Sequence, residues 1–184
     1  MKIGDLSKLT LTGLKKRLGE NESIEVQNKK GLVRSLKCTF KPSVTDDKIN
    51  DFKNKTPGLP LPKDLEVFYK MSNGLDLFVD DYGGGIFIFP IEDVNDNLYP
   101  LIKENGFYPV AHHRDIGYTV VRIQDVEEGN PNYLYFLDDA MIDPAYPLNM
   151  NFELWLERLI LAQGNQFWTW NTFTAENYYR ANRS

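Results

Sequence analysis

The chain has 184 residues, of which 42% are hydrophobic and 26% charged. This length allows one buried core, and an ordinary composition with 10 Tyr and 11 Phe excludes a disordered chain. No apolar run reaches the roughly 18–20 residues that span a bilayer, and no signal-peptide block opens the chain, so we expect a cytoplasmic protein. Cys38, without a second cysteine, is expected to be a small apolar residue in a strand.

Charge is distributed unevenly along the chain. Residues 1–64 carry 14 basic and 8 acidic side chains, whereas residues 65–184 carry 7 basic and 18 acidic ones. The net charge of −5 argues against nucleic-acid binding, which needs basic side chains to displace counterions from phosphates. An acidic body favours the approach of a basic protein partner, and the alternative is that these charges serve solubility alone.

The first 44 residues are predicted to form a helix followed by a hairpin. Leucines at helical spacing predict the helix over residues 5–18. Strands are predicted over residues 23–27 and 32–40, because the Asn and Gly of residues 28–31 supply the positive φ angles that a hairpin turn needs.

Two more helices are predicted before residue 75. Thr45 is a suitable N-cap for the first of them, and the aspartates that follow it place negative charge in the first turn. The second begins near Pro62 and carries the buried stripe Leu65, Phe68 and Tyr69. We expect Asn73-Gly74 to end this helix with a left-handed cap.

A series of strands is predicted after an acidic turn from Asp76 to Tyr82. Glycines 83–85 open a buried strand over residues 86–89 and are interpreted as a tight turn, since the neighbouring carboxylates would repel a phosphate. Closely spaced strands of this kind predict an antiparallel meander. The later strands are predicted over residues 108–112, 118–123 and 133–137.

The last predicted element is a helix that begins at the N-cap Asn151 and ends at Gly164. Helices first, strands next and a helix last is an α+β order. We therefore expect a single domain over residues 1–184. Its parts are an N-terminal elaboration (1–44), a core (45–162) and an aromatic tail (163–184) that packs back on the domain or forms part of an interface.

The core contains a series of short motifs in a fixed order: a capped helix after Thr45, Leu61-Pro62-x-Asp64-Leu65-x-x-Phe68-Tyr69, Asn73-Gly74, Gly85-Ile86-Phe87-Ile88-Phe89-Pro90 with Ile91-Glu92-Asp93-Val94, Tyr108-Pro109-Val110-Ala111, Tyr133-Leu134-Tyr135-Phe136 and Phe152-x-x-Trp155-Leu156. By these motifs the chain resembles the SMI1/KNR4 family, also called the SUKH superfamily, over residues 45–162. The chain departs from the family pattern by the residues that precede Thr45.

The resemblance implies an α/β sandwich in which helices pack on one face of a mainly antiparallel sheet. It also implies a binding role. Many bacterial members of the family resemble immunity proteins that neutralise toxins, often nucleases, and fungal relatives are regulatory binding proteins.

The sequence contains no convincing set of catalytic or metal-binding residues. The histidines, His112 and His113, are adjacent, so in a strand they point to opposite faces and do not readily grip one metal ion. Glu153 and Glu157 are interpreted as a solvated helix face, with contact to a basic partner as the alternative. We expect neither enzymatic activity, nor a cofactor, nor a metal.

Acidic loops are the candidates for partner contact, because interfaces draw binding energy from aromatic anchors surrounded by polar residues. The candidate residues are Asp76, Asp80, Asp81, Tyr82, Asp138, Asp139 and Asp143. We expect helices to bury one side of the sheet and to leave an acidic outer surface that docks onto a basic toxin. The alternative is a scaffold that gathers several host proteins, and an enzyme is the third hypothesis.

Overall fold

The computed structural model describes residues 2–27, 31–138 and 145–172. In these ranges the helices are α1 (Asp5–Arg17), α2 (Asp46–Lys55), α3 (Lys63–Tyr69), α4 (Pro100–Glu104), α5 (Ile123–Glu127) and α6 (Phe152–Leu161). The strands in the same ranges are β1 (Ser23–Gln27), β2 (Val33–Phe40), β3 (Leu75–Val79), β4 (Ile86–Ile88), β5 (Phe107–His113), β6 (Gly117–Arg122), β7 (Leu134–Asp138) and β8 (Tyr146–Pro147).

The described strands form one sheet in which each strand pairs with the next along the chain. Every pairing is antiparallel, so the sheet is an uninterrupted meander. The predicted α+β class and the antiparallel meander are confirmed. The meander also extends beyond the prediction, because the N-terminal hairpin of β1 and β2 joins the sheet through β3.

Helix α6 supplies the main apolar layer against the sheet. Its Phe152, Trp155, Leu156 and Leu159 are fully buried, and the Trp155 ring lies 6.1 Å from the ring of His113 on β5. A fully buried side chain of this kind stabilises the fold by about 1.5–3 kcal/mol. The predicted N-cap is confirmed, since Asn151 Oδ1 accepts a hydrogen bond from the Leu154 amide at 3.0 Å. Helices α1 and α3 pack against α6.

The opposite face of the sheet is aromatic over its central row rather than acidic. Strand register places Asp76, Phe87, His112, Tyr118 and Leu137 side by side across β3 to β7. This row contains one carboxylate, and α4 covers its neighbourhood by packing an apolar side chain against β6. The expected acidic outer face is therefore wrong for this row, and helices lie on both faces of the sheet.

A buried carboxylate joins α3 to α6. Asp64, 6% exposed, accepts a hydrogen bond from the Tyr133 hydroxyl at 2.5 Å and another from the Glu153 amide at 3.2 Å. Glu153 is itself buried. Its interpretation as part of a solvated face is wrong, because α1 packs over this end of α6.

The predicted acidic turn from Asp76 to Tyr82 is wrong in its first half. Residues 75–79 form β3, where Leu75 and Leu77 are fully buried and Asp76 points to the opposite face. The alternation of apolar and polar side chains is the signal for this strand. The acidic residues that follow it masked that signal.

Asn73 joins two distant segments instead of capping α3, which ends at Tyr69. Its side-chain oxygen accepts a hydrogen bond from the Ile91 amide at 2.9 Å, and its amide nitrogen donates to Glu92 Oε2 at 2.8 Å. The next residue, Gly74, has a φ of 94° and lies so close to β4 that a Cβ would meet the Ile88 carbonyl oxygen at 2.6 Å. The Asn-Gly pair therefore fixes the start of β3 against the end of β4.

The described start of the aromatic tail packs back on the domain. Trp168 is 9% exposed and lies against the rings of His113 and Phe136. The predicted packing is confirmed for this residue, while residues 173–184 lie outside the described ranges. Cys38 is fully buried in β2, as expected. No helix in the described ranges is long and apolar enough to cross a membrane.

Candidate functional site

One end of the sheet gathers the connections that follow the odd-numbered strands. In a meander these strands run in the same direction, so their loops emerge at the same end. We call this region the hairpin end. Its connections are residues 28–32, 80–85, 114–116 and 139–145, of which 31–32, 80–85, 114–116 and 145 are described.

The loop between β3 and β4 presents Tyr82. Asp80 Oδ1 accepts hydrogen bonds from the amides of Tyr82 and Gly84, both at 2.9 Å, and the Asp80 amide donates to the Gly84 carbonyl at 3.0 Å. These bonds order the turn around Asp80. The Tyr82 side chain is 96% exposed. A large aromatic side chain thus projects into solvent from a turn with a defined backbone.

The hairpin end is acidic. The described connections together with Asp138 contain four aspartates and one arginine. The aspartates are Asp80, Asp81, Asp115 and Asp138, and the arginine is Arg114. Asp115 and Arg114 are both well exposed and lie 4.0 Å apart. Asp138 is exposed at the end of β7, in register with Gly117.

These loops lie within the footprint of one protein partner. Register places Ile86, His113, Gly117 and Asp138 in one row across β4 to β7. Three strand spacings of about 4.8 Å separate the first of these residues from the last, roughly 14 Å. Protein interfaces bury about 800 Å² on each partner, which is wide enough for both ends of this row.

The structure separates the predicted contact residues into three groups. Asp80, Asp81, Tyr82 and Asp138 lie at the hairpin end. Asp76 does not, because it lies within β3, where its carboxylate is 3.5 Å from the Lys41 ammonium. The predicted residues outside the described ranges are Asp139 and Asp143.

Apolar residues at the hairpin end were missed by the sequence reasoning. Ile116 at the β5–β6 turn is 43% exposed, and Tyr146 at the start of β8 is 52% exposed. Leu32 and Val33, at the start of β2, are more exposed still. For Ile116 the available signal was an apolar residue in the turn between two predicted strands, since a turn has no core in which to bury it.

The two histidines occupy opposite faces, as predicted. His113 is 1% exposed, its Nε2 lies 2.9 Å from Thr119 Oγ1, and burial lowers its pKa to about 3. It is therefore neutral near pH 7, with its ring against those of Phe136, Trp155 and Trp168. His112 stacks on Tyr118 at 4.6 Å. In the described part of the chain, no group of three or more His, Cys, Asp or Glu residues is placed to hold a metal ion.

A profile of the SMI1 / KNR4 family (SUKH-1) matches residues 43–175, from just before α2 to beyond the closing helix. The chain belongs to the SMI1/KNR4 family. The family segment thus contains β3 to β8, the Asn73 contact and the two acidic residues of the β3–β4 loop, Asp80 and Asp81. Helix α1 and the β1–β2 hairpin precede it.

The SMI1/KNR4 relatives of this chain include two proteins of Bacillus subtilis (strain 168). "Uncharacterized protein YobM" is 33% identical over 179 residues, which cover 93% of this chain and 95% of the relative. "Uncharacterized protein YnaB" is 28% identical over 140 residues, which cover 76% of this chain and 92% of the relative. The YobM similarity therefore extends into the residues that precede the family segment.

Proposed function

We propose that this SMI1/KNR4 protein is a non-catalytic, cytoplasmic immunity protein that neutralises a cognate bacterial toxin by direct binding. A basic toxin such as a nuclease is the partner whose charge is opposite to that of this chain. The resemblance to immunity-type members of the family and the bacterial origin of the two relatives support this proposal.

The observation that carries the proposal is the exposure of Tyr82 among carboxylates at the hairpin end. Aromatic side chains that project from an ordered backbone are frequent anchors of protein interfaces. Asp81, Asp115 and Asp138 lie at the same end of the sheet as this anchor, and their negative charge would accelerate encounter with a positively charged surface. The combination favours a basic protein over a small molecule as the ligand.

Two buried side chains that could have served catalysis support a binding role instead. His113 is neutral and enclosed by aromatic rings, so it has no access to a substrate in solution. Burial raises the pKa of the Cys38 thiol, which disfavours the thiolate needed for nucleophilic attack.

The test is to mix the purified protein with the product of a neighbouring toxin-like gene. We expect a stoichiometric complex that weakens as salt increases, together with protection of cells that express the toxin. The Asp80→Asn variant keeps an oxygen that can order the turn, whereas Asp80→Ala removes it. A larger loss of affinity for Asp80→Ala would identify loop order as part of recognition. If no neighbouring gene encodes a toxin and no such complex forms, the proposal is wrong.

A regulatory scaffold is the second candidate, and the aromatic face of the sheet favours it. Phe87 and His112 are half-buried there, and Tyr99, whose ring lies 6.1 Å from that of Tyr118, is 47% exposed. A protein that gathers several partners needs more than one contact surface, and this face is separate from the hairpin end. A pull-down that recovers several host proteins, without protection against any toxin, would favour the scaffold over the immunity protein.

A further inference from the structure

A cleft lies at the end of the sheet opposite the hairpin end. Helix α2 and Thr56 form one wall, and residues 91–96, which follow β4, form the other. Its volume is about 330 Å³. Pockets for small molecules typically measure about 300–1,000 Å³, so this cleft suits one long side chain better than a larger ligand.

The floor of the cleft is apolar and rigid. Phe52 of α2 and Ile91 line it, and they are 7% and 2% exposed because both belong to the main core. Close packing leaves core side chains little room to move. An aliphatic chain that enters the cleft therefore meets a preformed apolar surface.

Hydrogen bonds fix both walls. The Ile91 amide donates to Asn73 Oδ1 at 2.9 Å, and Glu92 Oε2 accepts from Asn73 Nδ2 at 2.8 Å. On the other wall, the Thr56 hydroxyl donates to the Phe52 carbonyl at 2.6 Å. A site that is ordered before binding loses little conformational entropy on binding.

The rim of the cleft has an excess of negative charge. Its lysines already have internal partners, since Lys55 lies 2.8 Å from Asp51 and Lys48 lies 3.7 Å from Glu92. Asp96 is a third carboxylate of the lining, and it is exposed. An anionic ligand would have to compete with both ion pairs, whereas a cation would meet the surplus carboxylate directly.

We propose that this cleft receives an arginine side chain of a partner protein. The alkyl stem would lie on Phe52 and Ile91, and the guanidinium would reach the Asp96 side of the rim. Arginine suits the site better than lysine because its planar head is more weakly hydrated and bonds to several acceptors at once. The inference rests on the proposed protein-binding function and adds a second contact region to it.

Titration of ¹⁵N-labelled protein with N-acetylarginine N-methylamide tests the cleft by itself. We expect saturable chemical-shift changes in the amides of residues 55–56 and 91–96, with weaker changes for the equally blocked norleucine and none for blocked glutamate. An equal or stronger response to glutamate would overturn the proposal. Shift changes that lie only outside the cleft would overturn it as well, as would no response up to the solubility limit.

Variants in the cleft sharpen the test. Asp96→Asn should weaken arginine binding by roughly threefold, the scale expected of one exposed ion pair. Asn95→Trp should abolish binding by filling the cleft, with thermal unfolding as the check that the variant folds. The matched control is Asp47→Asn, which removes an exposed carboxylate from α2 outside the cleft and should change nothing. Equal losses in Asp96→Asn and Asp47→Asn would contradict the assignment.

The cleft and the proposed function fail separately. An arginine response in a protein that forms no toxin complex would support the cleft and refute the immunity function. A toxin complex that depends on Tyr82, in a protein without an arginine response, would refute the cleft.

Discussion

The carboxylate of Glu153 accepts a hydrogen bond from the Ser7 amide at 3.2 Å, although 146 residues separate the two. Ser7 lies in the first turn of α1 and Glu153 in the first turn of α6, and both are buried. The Asp64 carboxylate of α3 in turn accepts a hydrogen bond from the Glu153 amide. Amides in the first turn of a helix have no partner within that helix, so buried carboxylates here satisfy α1 and α6 and hold both in register with α3.

Replacing Glu153 with alanine should lower the free energy of unfolding by about 2 kcal/mol, because the Ser7 amide would remain buried without its acceptor. Amide hydrogen exchange in α1 should accelerate at the same time. Urea unfolding and exchange followed by mass spectrometry measure the two effects. Glu157→Ala, one turn later in α6 and half-buried, is the control and should cost no more than about 0.5 kcal/mol. Equal losses in the two variants would contradict this role of Glu153.

Two buried tyrosine hydroxyls should respond in opposite ways to replacement by phenylalanine. The Tyr133 hydroxyl donates to Asp64 and accepts the Phe152 amide at 3.1 Å. We therefore expect Tyr133→Phe to lower the free energy of unfolding by about 2–3 kcal/mol. The Tyr69 hydroxyl is buried without a hydrogen-bond partner among the described residues, so Tyr69→Phe should leave stability unchanged or raise it. Urea unfolding decides, and a larger loss for Tyr69→Phe would show that its hydroxyl has an acceptor.

The buried histidine should make stability depend on pH. The pKa of His113 falls from an ordinary value of 6.5 to about 3 in the fold. Between these values the unfolded chain binds a proton that the folded chain does not. Stability is therefore full above pH 6.5 and decreases as the pH falls toward 3. At pH 5 the loss from this residue should be about 2 kcal/mol.

The His113→Gln variant isolates this effect, because glutamine does not titrate. Urea unfolding at pH 7 and pH 5 should show a smaller pH-dependent loss for the variant than for the wild type. The usual pKa values of carboxylates lie below pH 5, so their titration contributes little in this window. Identical pH dependence in the two proteins would mean that His113 binds a proton equally well in the folded and in the unfolded chain.

Tyr82 should matter for binding and not for stability. Its side chain is 96% exposed, so Tyr82→Ala should leave the thermal midpoint unchanged. The affinity for the cognate toxin should fall by about tenfold or more, the scale of an interface anchor. Isothermal titration calorimetry measures the loss, and Leu9→Ala, which truncates a 65% exposed residue on α1, is the control. Wild-type affinity in Tyr82→Ala would place the contact away from the hairpin end.

Local patterns predicted the elements whose ends are marked by helix caps or by turn residues. The closing helix was located by the apolar spacing of residues 152–160 and by the Asn151 cap, which forms the expected bond. Helices α4 and α5 were missed because each has five residues, too few for a helical period to be recognised. Strand β3 was missed because acidic residues follow its apolar alternation.

The residues of the candidate loop could be predicted from the sequence, whereas the way that separate segments come together at the site could not. Asp80, Asp81 and Tyr82 were recognised as an acidic loop with an aromatic residue, which is a property of neighbours in the chain. Two further features depend on strand pairing: Asp138 lies at the same end of the sheet as this loop, and Asp76 lies on a face instead. A shift of one residue within a strand exchanges the two faces, so charge along the chain does not locate charge on the surface.

The amino-acid sequence by itself determined the family, the antiparallel order of the later strands and the terminal helices. It also determined that Cys38 is a small apolar residue in a strand. Periodicity and capping act over a few residues, which is why these features can be recognised locally. Tertiary structure alone decided that Glu153 is a buried acceptor, that Asn73 joins β3 to the segment after β4, and that a cleft opens beside α2. Each of these depends on contacts between residues far apart in the chain, whose meeting is set by the packing of helices on the sheet.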